Sequence, residues 1–120
     1  MSVTFFSISL DCADAAKQAD FWSQVLNRPV DDGGSQDFAA IGMQGGEPGA
    51  VVWMFHRVPE PKQAKNRAHV DFLAADLQQE VQRVLTLGAT HIRDVEEGGY
   101  LWSTLADPEG NEFDIIAAPQ

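Results

Sequence analysis

Asp107-Pro108-Glu109-Gly110-Asn111-Glu112-Phe113-Asp114-Ile115-Ile116 decides how the chain is read. Pro108 presets φ near −65° and Gly110 accepts positive φ without steric cost, so the first four residues spell a tight turn. From Asn111 a strand is predicted, with Phe113 and Ile115 on one face and Glu112, Asp114 and Ile116 on the other. Asp114 is the exception in this pattern. A carboxylate in mid-strand stands where packing would gain more from Val or Ile, which makes it a candidate for chemistry.

Working back from this strand, the chain repeats itself. Residues 3 to 11 alternate, with Thr4, Phe6, Ile8 and Leu10 on one side and Phe5, Ser7, Ser9 and Asp11 on the other. Asp14 is an N-cap, and Ala16, Ala19, Trp22, Val25 and Leu26 recur at helical spacing until Asn27 and Pro29 end the helix. Strands are predicted over 36 to 43 and 50 to 57, separated by a glycine-rich turn, with a short one near Val30. After a connection at 58 to 66 the order returns. Ala68, Val70 and Phe72 oppose His69 and Asp71, Asp76 caps a helix that Gly88 closes as an αL C-cap, and strands are expected near 90 to 95, 100 to 106 and 111 to 117. Asp76 follows Asp14 by 62 residues, and the same shift lays His69 on Ser7 and Phe72 on Leu10. The chain reads as an α+β domain of two βαβββ modules, about 1 to 57 and 67 to 120. A ferredoxin-like arrangement has similar element counts but accounts less well for the repeat.

The Asp-Pro-x-Gly turn with its downstream carboxylate resembles the last strand of the vicinal oxygen chelate superfamily, the glyoxalase, bleomycin-resistance and extradiol dioxygenase group. The segments 58 to 62 and 65 to 69 are similar to a bacterial glyoxalase-like branch. The resemblance covers nearly the whole chain. It implies an incomplete barrel around a cleft, and a homodimer, since short chains of this family commonly pair. It also implies inward ligands from the first and last strand of each module. In module two these match His69 and Asp114, suited to Zn, Ni, Mn or Fe(II). Module one departs from the pattern, with Ser7 in the place of a His and Val52, or its neighbours Trp53 and Met54, in the place of a Glu. His56 is a further candidate, which with His69 and Asp114 would complete a facial triad. A metal-free pocket is equally open.

Without a metal the same faces still form a site. His69 beside Asp71 is a candidate general base or hydrogen-bonding group, and His69 with Asp114 is the catalytic pair on which the chemistry is placed. Ser7, Ser9, Trp53, His56, Arg67, Asp71 and Trp102 are expected to contact a ligand. A structural alternative pairs Asp114 with Arg67 or a nearby amide. Two functions follow. One is an enzyme, a glyoxalase-like lyase, isomerase or dioxygenase acting on a small oxygenated or anionic molecule; the other is a binding protein of the bleomycin-resistance type without catalysis.

Composition narrows the partners. A net charge of −10 argues against general nucleic-acid binding, which depends on Lys and Arg. Arg57, Lys62, Lys65 and Arg67 nevertheless gather in one connection, read as a solvated loop or as a positive rim for an anionic ligand. No apolar run reaches membrane-span length and the first residues lack a signal-peptide pattern, so a cytoplasmic protein is expected. The single Cys12 excludes an internal disulfide and a cysteine metal cluster. It is expected to be a buried, inert thiol.

Overall fold

Two aspartates start the two helices. Asp14 accepts a hydrogen bond from the Lys17 amide at 3.1 Å, and Asp76 one from the Gln79 amide at 3.1 Å, satisfying amides that the first turn leaves without intrahelical partners. The computed structural model describes residues 2–47 and 49–119. Its element order is β1 (Ser7–Cys12), α1 (Ala15–Leu26), β2 (Phe38–Ile41), β3 (Val52–Arg57), β4 (Asp71–Ala74), α2 (Leu77–Leu87), β5 (Thr90–Glu97), β6 (Tyr100–Ala106) and β7 (Glu112–Ala117). The α+β class and the two modules stand as expected. By contacts the chain divides into two units, Met1–Pro61 and Lys62–Gln120.

In unit one the sheet order is β1-β3-β2, with β1 parallel and β2 antiparallel to β3. Val30 forms only a single bridge to Ile41. Pro29, which has no N–H to donate, stands just before it. Alternation on β3 turns Trp53 and Phe55 toward α1, where the Trp53 and Trp22 rings lie 5.0 Å apart and Phe55 is fully buried. Asn27 ends α1 in the left-handed region (φ 53°), returning its amide to Ser23 O.

Unit two has the order β4-β7-β6-β5, with β4 parallel to β7 and the other pairs antiparallel. Helix α2 packs against β6 and β7, and Val84, Leu105 and Phe113 form the fully buried core. Gly88 does close α2, but with φ 122° and ψ 3° it lies outside the αL region expected of it. Its amide still reaches Leu85 O and Val84 O, a geometry open to glycine because it lacks Cβ.

Three expectations need correcting. The first strand begins at Ser7, not residue 3. Its partner β3 starts at Val52, whose amide bonds Phe6 O, and no ladder is formed before that point. Phe6 is accordingly 58% exposed and not a core residue. The strand expected from Ala68 begins at Asp71; ahead of it, Val70 O accepts the Asp114 amide and the Asn66 side chain takes over the pairing with Glu112. The repeat is also not uniform. Cys12 O accepts from Val58 as Ala74 O accepts from Ala118, so the last strands correspond with a shift of 60, whereas the helix caps correspond with 62. The counterpart of Asp114 is therefore Met54, which pairs with Ser9 as Asp114 pairs with Asp71.

The contrast between core and cap can be measured by urea denaturation. Phe55→Ala should cost about 3–5 kcal/mol, because its ring is fully enclosed, while Asp76→Ala should cost about 1 kcal/mol.

Candidate functional site

The Asp107-Pro108-Glu109-Gly110 turn is held by its own aspartate. Asp107 is buried, and its carboxylate accepts from the Glu109 and Asn111 amides, both at 2.9 Å, and from Asn111 Nδ2 at 3.1 Å. Gly110 N–H closes on Asp107 O at 2.9 Å, with Gly110 at φ 89°. The hairpin register that results places Ala106 opposite Glu112 and Thr104 opposite Asp114. Since β7 also pairs with β4, Asp71, Asp114 and Thr104 stand in a row on the sheet face away from α2.

Around this row the side chains converge. Thr104 Oγ1 donates to Asp114 Oδ1 at 2.6 Å, and His69 Nδ1 lies 2.9 Å from Asp71 Oδ1 and 3.7 Å from Asp114 Oδ2. An ionised carboxylate only accepts, so Nδ1 is the donor in the contact with Asp71. The longer separation, to Asp114, exceeds a hydrogen bond. Asp114 is the enclosed member, with 15% of its side chain exposed. One candidate ligand atom from each of His69, Asp71 and Asp114 lies within 4.8 Å of the others, a nitrogen and two oxygens that could hold a divalent ion.

His69 is steered by the segment before β4. Asn66 Oδ1 accepts the Glu112 amide at 3.0 Å and Asn66 Nδ2 reaches Glu112 O at 3.4 Å, so one side chain imitates a strand residue at the start of β7. Beside it, Glu112 Oε1 binds Lys65 Nζ at 3.0 Å and Arg93 NH2 at 3.3 Å. The Lys65 hydrogen bond, with the charges of Lys65 and Arg93 adding to it, lowers the Glu112 carboxyl below its ordinary 4.5. The expected basic rim is thus partly spent on ion pairs, because Arg57 also binds Asp37, at 3.1 Å.

The remaining expected residues fall into separate settings. Trp102 pairs with Ile116 on the same face as Asp114 and flanks the row. Arg67 is exposed. The partners of Asp114 are Thr104 and His69, in place of the Arg67 pairing considered as a structural alternative. In unit one, Ser7, Ser9, Met54 and His56 share the face away from α1, and the His56 ring lies 5.1 Å from that of Phe38. Trp53 is 4% exposed and belongs to the core beside Trp22, with little surface left for a ligand. Cys12 is buried, its thiol donating to His56 O at 3.4 Å. Concavities of about 380 and 210 Å³ in unit one are lined by loops around Asp31 and Gln44 and include no histidine.

Thr104 is the neighbour of Asp114 that alternation alone does not single out. Its position is nonetheless countable, because the Asp107 turn fixes the hairpin and places residue 104 opposite 114. Asn66 carried no such signal, since its contact depends on a segment folding back along β7.

The profile of the glyoxalase-like domain family matches residues 7–116. The chain belongs to that family. As a glyoxalase-like protein it falls within the vicinal oxygen chelate superfamily. A glyoxalase/bleomycin resistance protein/dioxygenase family enzyme from Burkholderia phytofirmans PsJN has a similar structure, with TM-score 0.77 and 18% identity, covering 98% of this chain and 100% of its own. The genomically encoded fosfomycin resistance protein FosX of Listeria monocytogenes gives 0.73 at 15% identity, over 99% and 96%. Lactoylglutathione lyase of Agrobacterium tumefaciens gives 0.65 at 14%, over 98% and 95%. No curated protein sequence matches this glyoxalase-like chain. No helix among the described residues is long and apolar enough to cross a membrane.

Glu112 stays charged in the folded protein at pH values where a free glutamate takes up a proton. Its stabilisation is therefore complete above about pH 4.5 and is lost as the pH falls through the lower folded value. Glu112→Gln should lower Tm at neutral pH, and the two melting curves should converge in strong acid; a difference unchanged by pH would show that the ion pairs contribute nothing.

Proposed function

We propose that this protein binds a small oxygenated or anionic organic molecule beside His69, Asp71 and Asp114, together with a divalent cation held by those three side chains. One observation carries the reading. Asp71 and Asp114 are register partners on neighbouring strands and point to the same face, an arrangement of like charges that weakens a sheet. A cation between them turns that repulsion into attraction. An imidazole with two carboxylates suits Zn, Ni, Mn or Fe(II), and the spacing of the candidate atoms fits a single ion.

When bound, such an ion supplies Lewis acidity to vicinal oxygens of a substrate. The protein's own groups have distinct tasks. Thr104 fixes one Asp114 oxygen and leaves the other turned toward His69. Asp71, taking the hydrogen bond from Nδ1, orients the His69 ring and leaves Nε2 as the nitrogen that would ligate the ion. Trp102 offers an aromatic wall on the same face, and exposed Arg67 draws anionic groups toward it. The reading of a lyase, isomerase or dioxygenase is supported by the family and by the fosfomycin-resistance and lactoylglutathione lyase neighbours. A homodimer belongs to the same proposal, supported by Leu73, 71% exposed on the edge strand β4.

Zn, Ni, Mn or Fe(II) at a hundredfold excess over Kd should stabilise the protein by about 2.7 kcal/mol and raise Tm by roughly 10 °C. His69→Ala and Asp114→Ala should lose that shift, whereas His91→Ala should keep it. No shift with any of the four ions, or a shift surviving in both site variants, sinks the metal reading. Sedimentation equilibrium should show a dimer at micromolar concentration, and a monomer would remove that part of the proposal.

A further inference from the structure

The other face of the unit-two sheet carries a second cluster, created by an irregularity in β5. His91 pairs with Leu105 and Arg93 with Thr104, so Ile92 is an extra residue, a β-bulge. In a regular strand, residues three apart stand on opposite faces. The bulge returns His91 to the face of Asp94, and His91 Nε2 lies 2.8 Å from Asp94 Oδ1. Ser103, opposite Asp94 on β6 and buried, donates Oγ–H to the same oxygen at 2.6 Å. Above this trio, between it and α2, opens a groove of about 490 Å³ whose walls include Val81, Leu85 and Leu101.

The chemistry of the groove is asymmetric. Leu77, Val81, Leu85 and Leu101 supply an apolar side, Gln78 and Gln82 are neutral, and Asp94 is the one carboxylate, its side chain 63% exposed. Among the described residues both hydrogen bonds to Asp94 fall on Oδ1. The His91 hydrogen bond, then that from Ser103, lowers the Asp94 carboxyl below its ordinary 3.8, so this carboxylate is ionised at neutral pH. A hydrocarbon with an ammonium head complements both features, while a carboxylate head would be repelled. The volume lies within the range of small-molecule sites.

We propose that the groove between α2 and the β5–β6 hairpin binds small alkylammonium compounds, with the ammonium on Asp94 and the hydrocarbon along Val81, Leu85 and Leu101. The site is independent of the His69–Asp114 cluster, which occupies the opposite sheet face.

Amide and side-chain NMR shifts of the full chain, titrated with n-butylammonium, n-hexylammonium and n-hexanoate, test it. Hexylammonium should move the resonances of His91, Asp94, Leu101 and Ser103. It should bind about tenfold more tightly than butylammonium, as two further methylenes leave water, and hexanoate should leave those resonances unmoved. Asp94→Asn should weaken hexylammonium binding about tenfold. If that variant loses its folded spectrum, Leu101→Ala replaces it and should weaken binding severalfold. Equal binding of hexanoate, shifts centred elsewhere, no shifts at all, or unchanged affinity in the folded variant would each overturn the proposal.

Discussion

The Asp107 carboxylate is the constraint on which the arrangement of unit two rests. Buried, and engaged by the Glu109 amide, the Asn111 amide and the Asn111 side chain, it holds the β6–β7 connection in one shape. A hairpin turn sets register, and a slip of one residue would exchange the two faces of β7. Phe113 and Ile115 would then leave the core, and Asp114 would be pressed toward α2. Burial of the apolar pair and placement of the catalytic candidate are thus one event, decided by a turn several residues away.

That placement creates tension as well as order. Two carboxylates in register repel, and among the described residues a hydroxyl and an imidazole are the side chains bonded to them. The Thr104 hydrogen bond is short and charge-assisted, which offsets part of the cost of enclosing Asp114. Asp71, more exposed, keeps its charge in contact with water. An enclosed anchor beside a solvated partner is an arrangement suited to taking up a cation, since only one of the two must be held in place beforehand.

The two units show what such a pattern leaves when its polar residues are absent. At the positions matching His69, Asp71 and Asp114, unit one has Ser7, Ser9 and Met54. No repulsion arises there, and its stability rests on the aromatic packing of Trp22, Trp53 and Phe55 under α1. The same βαβββ plan therefore carries a polar, chemically able face in one unit and a nearly neutral one in the other.

Local patterns in the amino-acid sequence determined the element types, both helix caps, the Asp-Pro-Glu-Gly turn and the choice of His69, Asp71 and Asp114, because alternation, capping and turn chemistry act over a few neighbouring residues. Strand limits escaped them: whether Phe6 or Ala68 lies in a strand depends on the length of the partner strand. The choice of Met54 over Val52 and Trp53 as the counterpart of Asp114 stayed open for a similar reason, since a change of two residues within the loops is silent until the ladders are paired. A strand pattern does not say which face a helix will cover, so it cannot place Trp53 in the core under α1. Thr104 beside Asp114, Asn66 beside Glu112 and the bulge that brings His91 to Asp94 were decided only by the tertiary structure. Each depends on hydrogen bonds between segments distant in the chain or on one extra residue between paired strands, and neither leaves a periodic trace in the sequence.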